Sequence, residues 1–162
     1  MKLYYGATSS FSQKVRAAAI ECGVADRIEL ILIKTMNHDP ALARHNPLVK
    51  VPALITDDGF ALFDSPVICE YLDSLQPDHR LIPPSGQDRW RVLRRQALGD
   101  GLMESLIFIG VAARRPERAQ FYLKPARSHA RSIRTLRQHC ESKRAPNIQI
   151  FGARLNAGMI LL

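Results

Sequence analysis

Asp64-Ser65-Pro66 sets an acid and a hydroxyl at the point where a helix is expected to begin. Ser65 suits an N-cap and Pro66 the first helical position, since proline lacks the N–H that the first turn leaves unbonded. The free N–H groups and positive pole of such a helix attract a carboxylate, and the Ser65 hydroxyl would assist. Asp64 is then placed for a ligand ammonium. Upstream, Val51-Pro52 opens an apolar run with a residue that cannot donate a ladder hydrogen bond. A cis bond there would turn the N–H and C=O of Val51 outward, where an extended peptide can pair with them as an added strand. The two features together describe a site for a small peptide with a free α-amino acid end.

A third group lies near the N-terminus. ATSSFSQKVR places Thr8, Ser9 and Ser10 between a strand and a helix. A hydroxyl at this junction can donate to a sulfur anion, and the helix N-terminus favours the same negative charge. The commonest role of serine here is helix capping. No Ser-His-Asp arrangement follows from the positions of the five histidines. Cys22, Cys69 and Cys140 are widely spaced, with no CxxC and no Cys/His pair at zinc spacing, so neither a disulfide framework nor a metal site is expected.

The elements that would carry these residues are legible. KLYY (2–5) reads as a strand and residues 11–22 as a helix stopped by Gly23. RIELILI (27–33) is apolar enough to suggest a central strand. Pro40 opens a short helix to about His45. PALIT and FALF form a hairpin across Asp58-Gly59, a pair that suits a turn with both central residues at positive φ. The helix at 65–76 has one apolar face, formed by Val67, Ile68, Tyr71, Leu72 and Leu75. The order βαβαββα over residues 1–78 is that of a thioredoxin-like α/β domain. A linker (79–86) leads to a shortened all-α segment (87–162), with a long helix at 87–113 whose middle Gly99 and Gly101 weaken.

At 162 residues, 46% hydrophobic and with a mean hydropathy of −0.12, the chain can fold without staples. No apolar run reaches the ~18–20 residues of a membrane span, and MKLYYGATSS lacks the apolar stretch of a secretory signal. A cytoplasmic protein starting at Met1 is expected. The net charge of +8 is unevenly spread: residues 1–110 hold 12 Lys/Arg against 13 Asp/Glu, and residues 111–162 hold 11 against 2. The basic character belongs to the tail. Aromatic residues are sparse there and no recognition motif accompanies the charge, so nucleic acid is not the expected partner.

Three ordered motifs resemble the glutathione S-transferase family. LYYGATSSFSQKVRAAAIECGV is similar to its strand, catalytic loop and first helix, NPLVKVPAL to its Asn-Pro-x-Gly-Lys-Val-Pro segment, and FDSPVICEYLD to its acid-Ser segment and following helix. The resemblance covers residues 2–78 well and extends less specifically to about Arg115. It implies glutathione as co-substrate, no metal, a small electrophilic or disulfide substrate, and a homodimer formed through the third and long helices. The arginines at 89, 91, 94 and 95 are candidates for that interface. By the same resemblance Ser9 falls on the catalytic serine of the serine-type classes, with Ser10 where proline is common. Which hydroxyl faces the thiol stays open. Lys50, Val51 and Pro52 fall on the glutathione-contacting segment, Val51 through its backbone. Asp64 and Ser65 match the pair that holds the γ-glutamyl end, and His38 sits where some classes place a polar residue near the glycine carboxylate.

Two departures stand out. Val49 replaces the usual glycine, which implies a shifted loop before Val51. After about residue 117 the composition turns to Arg, Ser, Pro and His, and nothing after Asp100 supplies the aspartate of the family's C-terminal Ser/Thr-x-x-Asp cap. A truncated or out-of-frame C-terminus is expected. The alternative to an enzyme is then a glutathione-binding or interaction module without turnover.

Overall fold

Strand β1 (Lys2–Tyr5) sends Leu3 to one face of the sheet and Tyr4 to the other, and both are buried. This is the computed structural model of the chain, which describes residues 1–34, 39–78, 81–113, 149–150 and 153–154. The chain divides into two units, Met1–Leu93 and Arg94–Leu162.

Helix α1 (Ser10–Glu21) buries Val15, Ala18 and Ala19 and ends in a Schellman motif. Gly23, at φ 68°, donates its N–H to the Ile20 carbonyl, and Val24 donates to Ala19, each at 2.9 Å. Val24 and Ala19 both enter the core, which completes the motif's apolar contact. A 3-10 turn (Ala25–Arg27) leads into β2 (Glu29–Leu32).

In the first unit the strand order is β2-β1-β3-β4, with β2 parallel to β1 and β3 (Ala53–Ile55) and β4 (Ala61–Leu62) antiparallel. The thioredoxin-like fold is therefore present. The apolar run at 27–33 is, however, an edge strand and not a central one. β1 takes the central place by pairing with β2 on one side and β3 on the other, and Leu30 and Leu32 stay exposed.

The β3–β4 turn also differs from the expected one. Only Gly59 (φ 85°) has positive φ, and Thr56 pairs with Phe60 around a three-residue loop. That is a type I turn closed by a left-handed glycine. The buried Thr56 favours it: its hydroxyl accepts from the Phe60 N–H (2.9 Å) and bonds Asp58. Asp57, on the same turn, accepts from the Met1 ammonium at 2.5 Å.

Helix α2 (Pro40–His45) is capped by Asp39, whose carboxylate accepts from the Ala41 and Leu42 N–H groups. Leu42 covers one sheet face with Tyr4, Ile33 and Ala53. On the other face, α1 and α3 (Ser65–Ser74) enclose Leu3, Val15, Leu54, Ile68, Cys69 and Leu72. Val67, expected on this apolar face, is 45% exposed, and Cys69 takes the inward position.

Asp73, 1% exposed, fastens the end of α3 to the following linker. Its two oxygens accept from the Leu81 N–H (2.8 Å) and the Ile82 N–H (2.9 Å). Helix α4 (Gly86–Ala113) runs unbroken through Gly99 and Gly101. At its start Arg91 pairs with Asp88 at 2.7 Å, and Arg89 pairs with Glu70 and bonds the Pro83 carbonyl. These two arginines are thus engaged within the chain. Two short strands, β5 (Gln149–Ile150) and β6 (Ala153–Arg154), pair antiparallel in a segment expected to be helical. The rest of the basic tail, with Cys140, lies outside the described residues.

Candidate active site

Strand direction gathers the site. In the β1/β3 pair Tyr4 faces Ala53, so the Val51-Pro52 entry to β3 lies beside the exit of β1 into Gly6 and Ala7. Strand β4 runs antiparallel to β3, with Leu62 opposite Leu54, so its exit into Phe63 and Asp64 reaches the same end. The start of α1, residues 50–52 and the start of α3 therefore share one end of the sheet. Two helix N-termini, each a source of positive potential, stand there. His38 lies outside the described residues.

The β1–α1 loop is tied at four points. Ser9 N–H donates to the Gly6 carbonyl (3.1 Å), and Gly6 N–H donates to the buried Ser12 hydroxyl (3.2 Å). Gln13 Nε2 holds the Ala7 carbonyl (3.1 Å). Ser9 is the N-cap of α1, its oxygen accepting from the Ser12 N–H at 3.2 Å. A hydroxyl that accepts in this way keeps its own proton for another partner. Ser10 is already the first helical residue.

At α3 the expected roles change places. Asp64, not Ser65, is the N-cap: its backbone is extended (φ −94°, ψ −157°) and its carbonyl accepts the first helical bond, from Ile68 N–H. Ser65 is already helical, so its side chain cannot cap. The Asp64 carboxylate makes no capping bond and is exposed. The Ser65 hydroxyl is 1% exposed and has no hydrogen-bond partner. A buried polar atom left unpaired is costly, which marks Ser65 as a candidate binding position. The Val51-Pro52 bond is cis, as expected, and so is Phe63-Asp64, which no sequence signal announced.

Lys50 is exposed, and the loop before it is organised by Asn46. Val49 adopts φ 51°, a left-handed conformation that glycine takes readily and a β-branched residue disfavours. Ser12, Gln13, Asn46 and Asp73 escaped the sequence reading. Asn46-Pro47 is a turn signal that pointed at one of them. Among the described residues no cluster of His, Cys, Asp or Glu could hold a metal, and Cys22 and Cys69 are buried in the core.

The family model for the N-terminal domain of glutathione S-transferase matches residues 8–75. A glutathione S-transferase from Methylobacillus flagellatus KT, solved with glutathione bound, is 36% identical with a TM-score of 0.73, covering 86% of this chain and 70% of that one. The chain belongs to the glutathione S-transferase family. A glutathione transferase family member from Pseudomonas fluorescens Pf-5, also with bound glutathione, is 32% identical with a TM-score of 0.77, covering 92% and 76%. Among curated proteins, the GST-like protein YibF of Escherichia coli K12 is 36% identical over 105 residues, which is 65% of this chain and 51% of YibF. The chain thus spans about half the length of that curated relative. No helix among the described residues is long and apolar enough to cross a membrane.

Proposed function

We propose that this chain binds glutathione at the shared end of its sheet and activates the thiol for attack on a small electrophile. The buried, unpartnered Ser65 hydroxyl beside the uncommitted Asp64 carboxylate carries the reading. Ser65 and the α3 N-terminus receive the γ-glutamyl carboxylate, and Asp64 takes the ammonium. The Val51 backbone pairs with the cysteinyl peptide, and Lys50 offers a cation to the tripeptide. His38 near the glycine carboxylate belongs to the same proposal. The solved relatives that hold glutathione support this assignment.

A free thiol of pKa near 8.5 is only a few per cent ionised at neutral pH. Lowering it by ~2 units requires about 2.7 kcal/mol of preference for the thiolate. The Ser9 hydroxyl proton and the N-terminal pole of α1 are suited to supply that preference. The sulfur lone pair then forms the new bond to the electrophile, whose leaving group departs with its electron pair. With a disulfide substrate the same attack exchanges one thiolate for another. A homodimer is part of the proposal, with sedimentation of the full chain as its test.

Glutathione titrated calorimetrically into the full chain tests the site. Binding that weakens at least about tenfold in Asp64→Ala is expected, the scale of one lost charge-assisted hydrogen bond. No binding by folded wild type, or equal binding by the variant, would refute the assignment.

A further inference from the structure

Asn46 is 2% exposed and sits between α2 and β3, in the loop before Lys50. Its backbone ends α2 by donating to Leu42 O (2.8 Å), and its carbonyl accepts the Val49 N–H (2.9 Å). The side chain adds two bonds. Oδ1 accepts from the Leu48 N–H at 3.0 Å, and Nδ2 donates to the Lys50 carbonyl at 2.8 Å. Val49 is therefore bracketed on both sides by one buried residue.

That bracket closes on a strained position. Val49 has φ 51°, a region that a β-branched side chain disfavours. Released, it would relax toward extended backbone and carry Lys50 with it. The Lys50–Val51 peptide is trans, so its C=O and N–H point in opposite directions. Fixing the Lys50 carbonyl on a buried amide therefore turns the Val51 N–H the other way, out of the core.

We propose that Asn46 is a positioning residue of this site: it restrains strained Val49 and, through the Lys50 carbonyl, aims the Val51 N–H at the bound peptide. The inference rests on the glutathione reading and adds the residue that shapes its central loop.

The test compares wild type, Asn46→Ala, Val49→Gly and the double variant as full chains. Glutathione affinity is measured by calorimetry, and loop order by amide hydrogen exchange at Leu48 and Val49, the two N–H groups whose hydrogen bonds Asn46 accepts. Asn46→Ala is expected to weaken affinity about tenfold, equivalent to about 1.4 kcal/mol, and to speed exchange by a similar factor. Val49→Gly removes the side chain that resists the left-handed conformation, so about half of both losses, on a logarithmic scale, should return in the double variant. A residue that only filled the core would show the same loss in either background. Unchanged affinity and exchange in Asn46→Ala, or losses that Val49→Gly does not lessen, overturn the proposal. If wild type binds no glutathione, the exchange ratios still decide the loop's mechanism, and only the glutathione reading falls. Should Asn46→Ala fail to fold, rescue by Val49→Gly supports the inference, and failure in both backgrounds overturns it.

Discussion

Ser65→Ala should make the free protein more stable and the liganded protein less so. The free chain carries a buried hydroxyl without a partner, a burden of about 1–3 kcal/mol in protein mutational data. Alanine removes that burden and costs no cap, because Ser65 stands inside the helix and Asp64 is the N-cap. Allowing for the packing of the lost oxygen, a net gain of about 1 kcal/mol is expected, raising the thermal midpoint by roughly 4 °C. With glutathione the order reverses. Losing a hydrogen bond to a carboxylate forfeits about 1.5–3 kcal/mol, or roughly a 30-fold weaker Kd. At a ligand concentration about 100 times the wild-type Kd, wild type gains ~2.7 kcal/mol and the variant only ~0.9 kcal/mol. Thermal melts of both proteins over a glutathione series should therefore cross. Two parallel series would mean that Ser65 does not touch the ligand. A variant less stable without ligand would mean that its hydroxyl is already satisfied.

Other substitutions separate chemistry from scaffold. Ser9→Ala should lower turnover about 100-fold while leaving the glutathione Kd within about threefold, and should lose ~1 kcal/mol of capping; steady-state rates beside calorimetry check this. Ser10→Ala should leave turnover near wild type, and an equal loss would move the thiol donor to Ser10. Asp73→Ala strands two N–H groups of the linker and should destabilise by about 3 kcal/mol in urea unfolding. The Thr56 hydroxyl holds the Asp58 carboxyl below its ordinary value of 3.8. A depressed folded pKa contributes stability above that ordinary value and loses it as pH falls through the lower one. Asp58→Asn should therefore flatten the decline in stability below about pH 4, read from melts between about pH 2 and 6.

Local chemistry announced the elements of the first unit well. Gly23 stops α1 because only a residue tolerant of positive φ closes its Schellman motif, and Pro40 opens α2 where its missing N–H costs nothing. The three segments of the proposed site share that property: Ser9, Val51-Pro52 and Asp64-Ser65 each sit at an element boundary, where residue type is tied to backbone geometry. What lies between elements was not. The apolar run in β2 reads as central, yet its place at the edge follows from β1 pairing on both sides, which strand composition does not encode. Ser65 reads as a cap by residue type alone. Only the extended backbone of Asp64 decides that the cap is one residue earlier, leaving the serine hydroxyl buried without a partner. Asn46 and Val49 make the same point. An asparagine before proline reads as an ordinary turn. Its buried side chain can restrain a left-handed valine only once α2 and the sheet close around it, because a hydrogen bond gains that authority when water is excluded from it.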